Sequence, residues 1–152
     1  MTIAEIIELV CTNVQGNYSF ILEDWYSADE ALNHVKLPAF ILLPPTGGTI
    51  ERHNGRFWHT QNVALAIVKR VMRDADGREN MRVVDGEVYI ASSIIEGIMR
   101  TGLVEEISDV AYSTIYEQTS DIVSGILLTF SARVMYGCVH VPPIPIPDEE
   151  DE

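Results

Sequence analysis

The sequence is poor in cations, with 10 Lys and Arg against 23 Asp and Glu and a formal net charge of −13. That balance counts against a face able to neutralise many phosphates, and so against sequence-specific nucleic-acid binding. An acidic surface can still serve DNA that must pass without sticking, because each phosphate contact forgone shortens residence. Cysteine is scarce as well. Cys11 and Cys138 stand far apart, outside any CxxC or Cys/His cluster, which excludes a disulfide framework and predicts two reduced core thiols in a cytosolic setting. Long apolar runs are missing: none reaches the roughly 18 residues of a membrane span. The opening MTIAEIIELV has acids where a signal peptide needs positive charge, so a soluble chain with no export signal and no membrane partner is expected.

Signatures of chemistry are equally sparse. His34, His53, His59 and His140 form no HxxxH or HExxH and no metal spacing with a cysteine or carboxylate, so no metal is expected and each reads as a surface or interface side chain. Thr46, Gly47, Gly48 and Thr49 are glycine-rich, but they fit neither phosphate-cradling pattern and no helix pattern follows them. Ser124-Gly125 lies inside a strand pattern, not on the sharp elbow of a serine nucleophile. The neighbouring acids Glu23 and Asp24 are what chance supplies in a chain this acidic. Asp74, Asp76 and Gly77 open like a calcium loop, yet the glycine falls too early, and turn chemistry explains them better. No catalytic residue and no cofactor is expected.

What is present is hydrophobic patterning. Hydrophobic residues make up 47 % of 152, enough for one packed core. The stretch Ile122–Tyr136 alternates Ile122, Ser124, Ile126, Leu128, Phe130, Ala132, Val134 and Tyr136 with a mixed set that includes Gly125, Thr129, Ser131 and Arg133. Period-two patterning of that length predicts the central strand of one sheet, its apolar side under helices and its mixed side facing solvent or another subunit. Residues 2–14 place Ile3, Ile6, Ile7, Val10 and Val14 on one stripe, an amphipathic helix with Thr2 as N-cap, Glu5 favouring its dipole and Gly16 ending it. Residues 18–22 fit a strand or a packed loop, and Ser27 followed by Glu30 has the capping-box form of a short helix to about Asn33.

Residues 37–43 form a continuous apolar run that suits a strand covered on both faces, with Pro38 near its start or on an edge. Residues 46–55 read as a loop or hairpin tip. A second long strand follows over 57–71, polar in its first half and apolar in its second, so that its start projects from the core with the preceding segment as an arm carrying Phe57 and Trp58. After a polar turn at 73–77, Met81, Val84, Val88, Ala91, Ile95 and Ile98 mark a crossover helix over 78–101, in which Gly86 signals a bend or the true start. Residues 107–116 are a strand joined by a turn at 117–121 to Ile122–Tyr136 as an antiparallel hairpin. The prolines beyond Tyr136 then favour a polyproline-like arm, and Asp148 to Glu152 form an acidic tail. The fold expected is α+β: a single small antiparallel or mixed sheet of about four strands with two main helices on one face. One domain would cover 1–137, with the arm and tail at 138–152.

The helix IAEIIELV, the strand LPAFILLPP, the helix running into EGIMRTGL and the closing strand DIVSGILLTFSARV resemble, in order and texture, the tail-terminator or tail-completion (neck) proteins of long-tailed bacteriophages. The resemblance spans most of the chain and brings no catalytic residues. It implies a virion structural protein assembled in the host cytoplasm, commonly a hexameric ring that caps the tail tube and docks to neck or connector proteins while genomic DNA passes its lumen without specific binding. A ring is a heterologous assembly in which an edge or arm meets a different patch on the next copy. The interface expected uses Phe57, Trp58, His59, Val139, Val141, Pro143, Ile144 and Ile146. A head-tail connector, an acidic inhibitor of a basic partner and a small enzyme with an unrecognised site are the alternatives.

Overall fold

The computed structural model describes residues 1–22, 37–71, 77–118, 122–136 and 141–147. In chain order they form α1 (Ile3–Val14), β1 (Ser19–Leu22), β2 (Ala39–Leu42), β3 (Gly48–His53), β4 (Arg56–Val71), α2 (Gly77–Arg100), β5 (Glu106–Gln118) and β6 (Ile122–Tyr136). The fold is α+β, with two helices and a six-stranded mixed open sheet in the order β1-β2-β4-β6-β5, and β3 beside the first half of β4.

Each long element forms where its pattern says it should. Thr2 caps α1 through a reciprocal pair: its Oγ1 accepts from the Glu5 backbone N–H at 3.1 Å, and Glu5 Oε2 accepts from the Thr2 N–H at 3.0 Å. This box satisfies two otherwise orphaned donors. β6 pairs with β4 from Ile122 against Val71 to Tyr136 against Phe57, and with β5 on its other side. It is an interior strand, as its alternation requires. β4 and β5 both run antiparallel to β6, so α2 carries the chain across the sheet from one to the other.

The core lies between the sheet and the helices. Ile6, Ile7 and Cys11 of α1, Ile94 and Ile98 of α2, and Leu65, Ile67, Ile126 and Leu128 of the sheet are almost fully buried in one cluster. Burying each such side chain contributes roughly 1.5–3 kcal/mol. A smaller cluster on the opposite face gathers Ala39, Ile41, Ala66, Val68 and Val123. All four residues of β2 are therefore buried, as its unbroken apolar run predicts, and Pro38 stands immediately before it.

Three expectations change. The sheet has six strands rather than about four, because residues 19–22 pair in parallel with β2 and residues 48–53 pair with β4 instead of forming a loop. Gly86 does not start α2, which runs from Gly77 to Arg100. The start of β4 forms the expected hairpin with the preceding segment, but β6 backs it as far as Tyr136. Strand β5 also extends to Gln118, past the expected end of the strand at 116, and the rest of the expected turn, 119–121, lies outside the described residues. The short helix at 27–33, most of the turn at 73–77, residues 138–140 and the acidic tail lie outside them too. Residues 141–147 carry neither helix nor strand, and every one of them is exposed.

Candidate assembly interface

β2 and β3 lie end to end along one edge of β4. Leu42 pairs with Leu65 and Gly48 with Gln61, so the five residues 43–47, with Pro44 and Pro45, sit opposite the three residues 62–64. Backbone bonds from Leu43 N–H to Ala64 O (3.0 Å) and from Asn62 N–H to Gly47 O (2.9 Å) close both ends of this interruption. Beyond it, β3 and β4 form a hairpin whose two-residue turn is Asn54-Gly55, with φ of 53° and 76°. Only residues that tolerate the left-handed region fit such a turn, and its twist matches that of the strands. With the end of β6 alongside, this hairpin is a three-stranded extension of the sheet.

Alternation divides the extension into two surfaces. On the face away from the helices, the Arg133 guanidinium lies 4.5 Å from the Trp58 ring centroid, and its nitrogens approach Glu51 at 3.5 Å and Glu106 at 3.8 Å. A cation over an aromatic face contributes about 0.5–1 kcal/mol at an exposed site, and partly exposed ion pairs about as much or less. On the helix side, His59 stacks on Tyr136 with centroids 5.8 Å apart, its Nδ1 3.3 Å from the Tyr136 hydroxyl. Ile50, paired with His59, is 76 % exposed.

A groove runs along that helix side. Its deeper part, about 310 Å³, is lined by apolar side chains that include Ile3, Ile7, Leu42, Pro44, Pro45 and Val63. It shares Pro45 and Gln61 with a shallower part of about 290 Å³ beside Gly48, Ile50 and His59. Arg52 and Arg56 stand at the far end, where β3 turns into β4. Neither makes an ion pair with a described residue. Alternation sets Arg52, opposite Phe57, on the groove side and Arg56, two residues before Trp58, on the other face, so one cation lies beyond the shallow end of the groove.

The other exposed feature is β5, which pairs with β6 on one side only and is the last strand of the sheet. Residues 110–116 carry no formal charge, and all but the half-buried Ile115 are exposed. A long neutral edge of this kind is a template for pairing with another chain.

The predicted interface residues fall into separate places. Phe57, Trp58 and His59 are all half-buried, and Trp58 faces the opposite way from the other two. Val141, Pro143, Ile144 and Ile146 are exposed, Ile146 at 86 %. Val139 lies outside the described residues, as do His34, His140, Glu23, Asp24, Asp74 and Asp76. Arg133 lies on the mixed side of β6 expected to face solvent or another subunit, while Ile50, Arg52 and Tyr136 add to this surface beyond the expected interface residues. Asn54-Gly55 between two alternating stretches is the hairpin signal that points to them.

One buried ionisable group stands apart from this surface. Glu87 of α2 is 2 % exposed, its Oε1 accepts the Tyr18 hydroxyl at 3.0 Å, and its Oε2 has no hydrogen-bond partner among the described residues. Burial pushes its pKa up, against smaller opposing effects of the Tyr18 hydrogen bond and the Lys69 charge. Burial, helped by the Glu8 charge, pushes the Cys11 thiol up to about 12. Among the described residues no three His, Cys, Asp or Glu side chains gather as a metal site would need, and no helix is long and apolar enough to cross a membrane. No family model matches this chain and no curated protein matches it significantly, so its role has to be argued from the edges, groove and charges just described.

Proposed function

We propose that this protein is a virion structural component, a tail terminator whose copies close into a hexameric ring that caps the tail tube and joins it to the neck. The observation that carries the reading is the uncharged, exposed edge of β5 in a chain of net charge −13. Copies this acidic repel one another, so a surface free of charge is where they can meet at least electrostatic cost. The opposite end of the sheet offers β1 and the outer edge of β3, so two different patches can join in a head-to-tail closure. An acidic lumen would pass DNA without counterion-releasing contacts.

Light scattering and negative-stain imaging, with and without isolated tail tubes, test this reading. Annuli, free or seated on tube ends, are expected for the wild type, and single copies for a chain carrying Ala111→Lys and Ser113→Lys on the β5 edge. Annuli that ignore tubes and cap the portal side instead would reassign the protein to the head-tail connector. Single copies that bind a basic protein one to one would replace the ring with an acidic inhibitor.

A further inference from the structure

We propose that the groove between α1 and the β3–β4 turn receives the C-terminal arm of a second copy, with Ile144 and Ile146 in its apolar part and the terminal acids against Arg52. This deepens the ring reading and rests on it.

The two partners share one polarity. The arm reads Val141-Pro-Pro-Ile144-Pro-Ile146-Pro147 and then five acids, Asp148 to Glu152. The groove begins at Ile3, Ile7, Pro44 and Val63 and becomes shallow at Ile50 and His59, with Arg52 two residues beyond Ile50 on the same face. Lengths agree as well. Four to eight residues separate Ile144 from the acids, about 12–25 Å in a polyproline-like chain. Six residues of strand separate Val63 from Phe57, which pairs with Arg52. That is about 20 Å. Prolines hold the arm near this extended shape, which lowers the entropy lost on docking. Apolar side chains as exposed as Ile144 (75 %) and Ile146 (86 %) gain by entering a groove lined by Ile, Leu and Pro.

The same polarity selects another copy over the chain's own arm. β6 ends at Tyr136, opposite Phe57 and beside the cationic end of the groove. An arm folding back from there along its own groove would run in the opposite direction, with Val141 nearest Arg52 and the acids carried farthest from it, onto the apolar floor. An arm arriving from a second copy can enter from the α1 end and match both parts.

Disulfide trapping tests the exchange on the full chain. Ile50→Cys and Ile146→Cys are introduced together with Cys138→Ser, Cys11 being buried, and the protein is oxidised with diamide and run without reductant. Covalent multimers are expected. Their yield should fall about tenfold when Arg52 is changed to Glu, and recover when the five acids of that chain are changed to Lys. A monomer closed by an internal disulfide, or multimers indifferent to charge reversal, would overturn the proposal. Rings seen by negative stain with no crosslink would overturn the arm exchange and leave the ring standing. Crosslinked multimers without rings would keep the exchange and sink the ring.

Discussion

Glu87 shows how one buried carboxyl sets a pH dependence. Its folded-state pKa is raised, chiefly by burial, so the folded chain holds that proton more tightly than the unfolded chain does. The resulting stabilisation is fully present below the unfolded value of about 4.3 and is lost as pH rises through the raised folded value. Glu87→Gln removes the charge while leaving an oxygen to accept the Tyr18 hydroxyl. The variant should be more stable than wild type at pH 8, by about 1 kcal/mol, and the gap should close at pH 4. Thermal melts at the two pH values check this, and an equal gap at both refutes it. Cys11 makes a second prediction at this scale. With its thiol buried and its pKa pushed up to about 12, a maleimide at pH 8 should modify it only in the unfolded chain, as read by mass after digestion.

Among the elements, α2 supplies a matched pair of glycines. Nothing lies within 4 Å of where a Cβ would sit on Gly86, whereas a Cβ on Gly97 would stand 2.6 Å from Val10 Cγ1 of α1. Gly86→Ala should therefore stabilise the chain by about 0.5–1 kcal/mol through helix propensity. Gly97→Ala should destabilise it by about 1–3 kcal/mol, because α1 and α2 meet there without room. Denaturant midpoints of the two variants are expected to move in opposite directions. Legibility followed the same physics. β6 could be read because its two faces differ over its whole length, and α1, α2 and β2 because their apolar residues follow their periods without interruption. β3 could not, since GTIERH holds Ile50 as its lone large apolar residue and is a strand only through its partner β4. In β5, the register shift between Ser108 and Ala111, with Asp109 at φ 54°, swaps the faces midway. Ile107 and Tyr112 thus share a side that strict alternation would deny them. The candidate interface was legible as composition, in the prolines and acids after Tyr136, but the groove was not, because residues 3–7, 42–50 and 59–63 meet there only in three dimensions.

For the whole molecule, charge decides what it meets. A net −13 predicts that the protein leaves double-stranded DNA unretarded in gel shifts even at about 50 mM salt, where phosphate contacts are strongest. Retardation there would point to a cationic lumen and against the passage of DNA without binding. The division of one β4 edge between β2 and β3 bears on motion as well. The edge bonds stop at Pro44 and Pro45, residues with no amide hydrogen to give, so the tip can unzip as far as Asn62 while β2 stays paired. In hydrogen-deuterium exchange, amides of 49–53 and 57–61 should swap by local opening, and those of 65–68 and 126–130 only with global unfolding. Slow exchange at the tip on assembly, with the rest unchanged, would mark where a neighbour has clamped it.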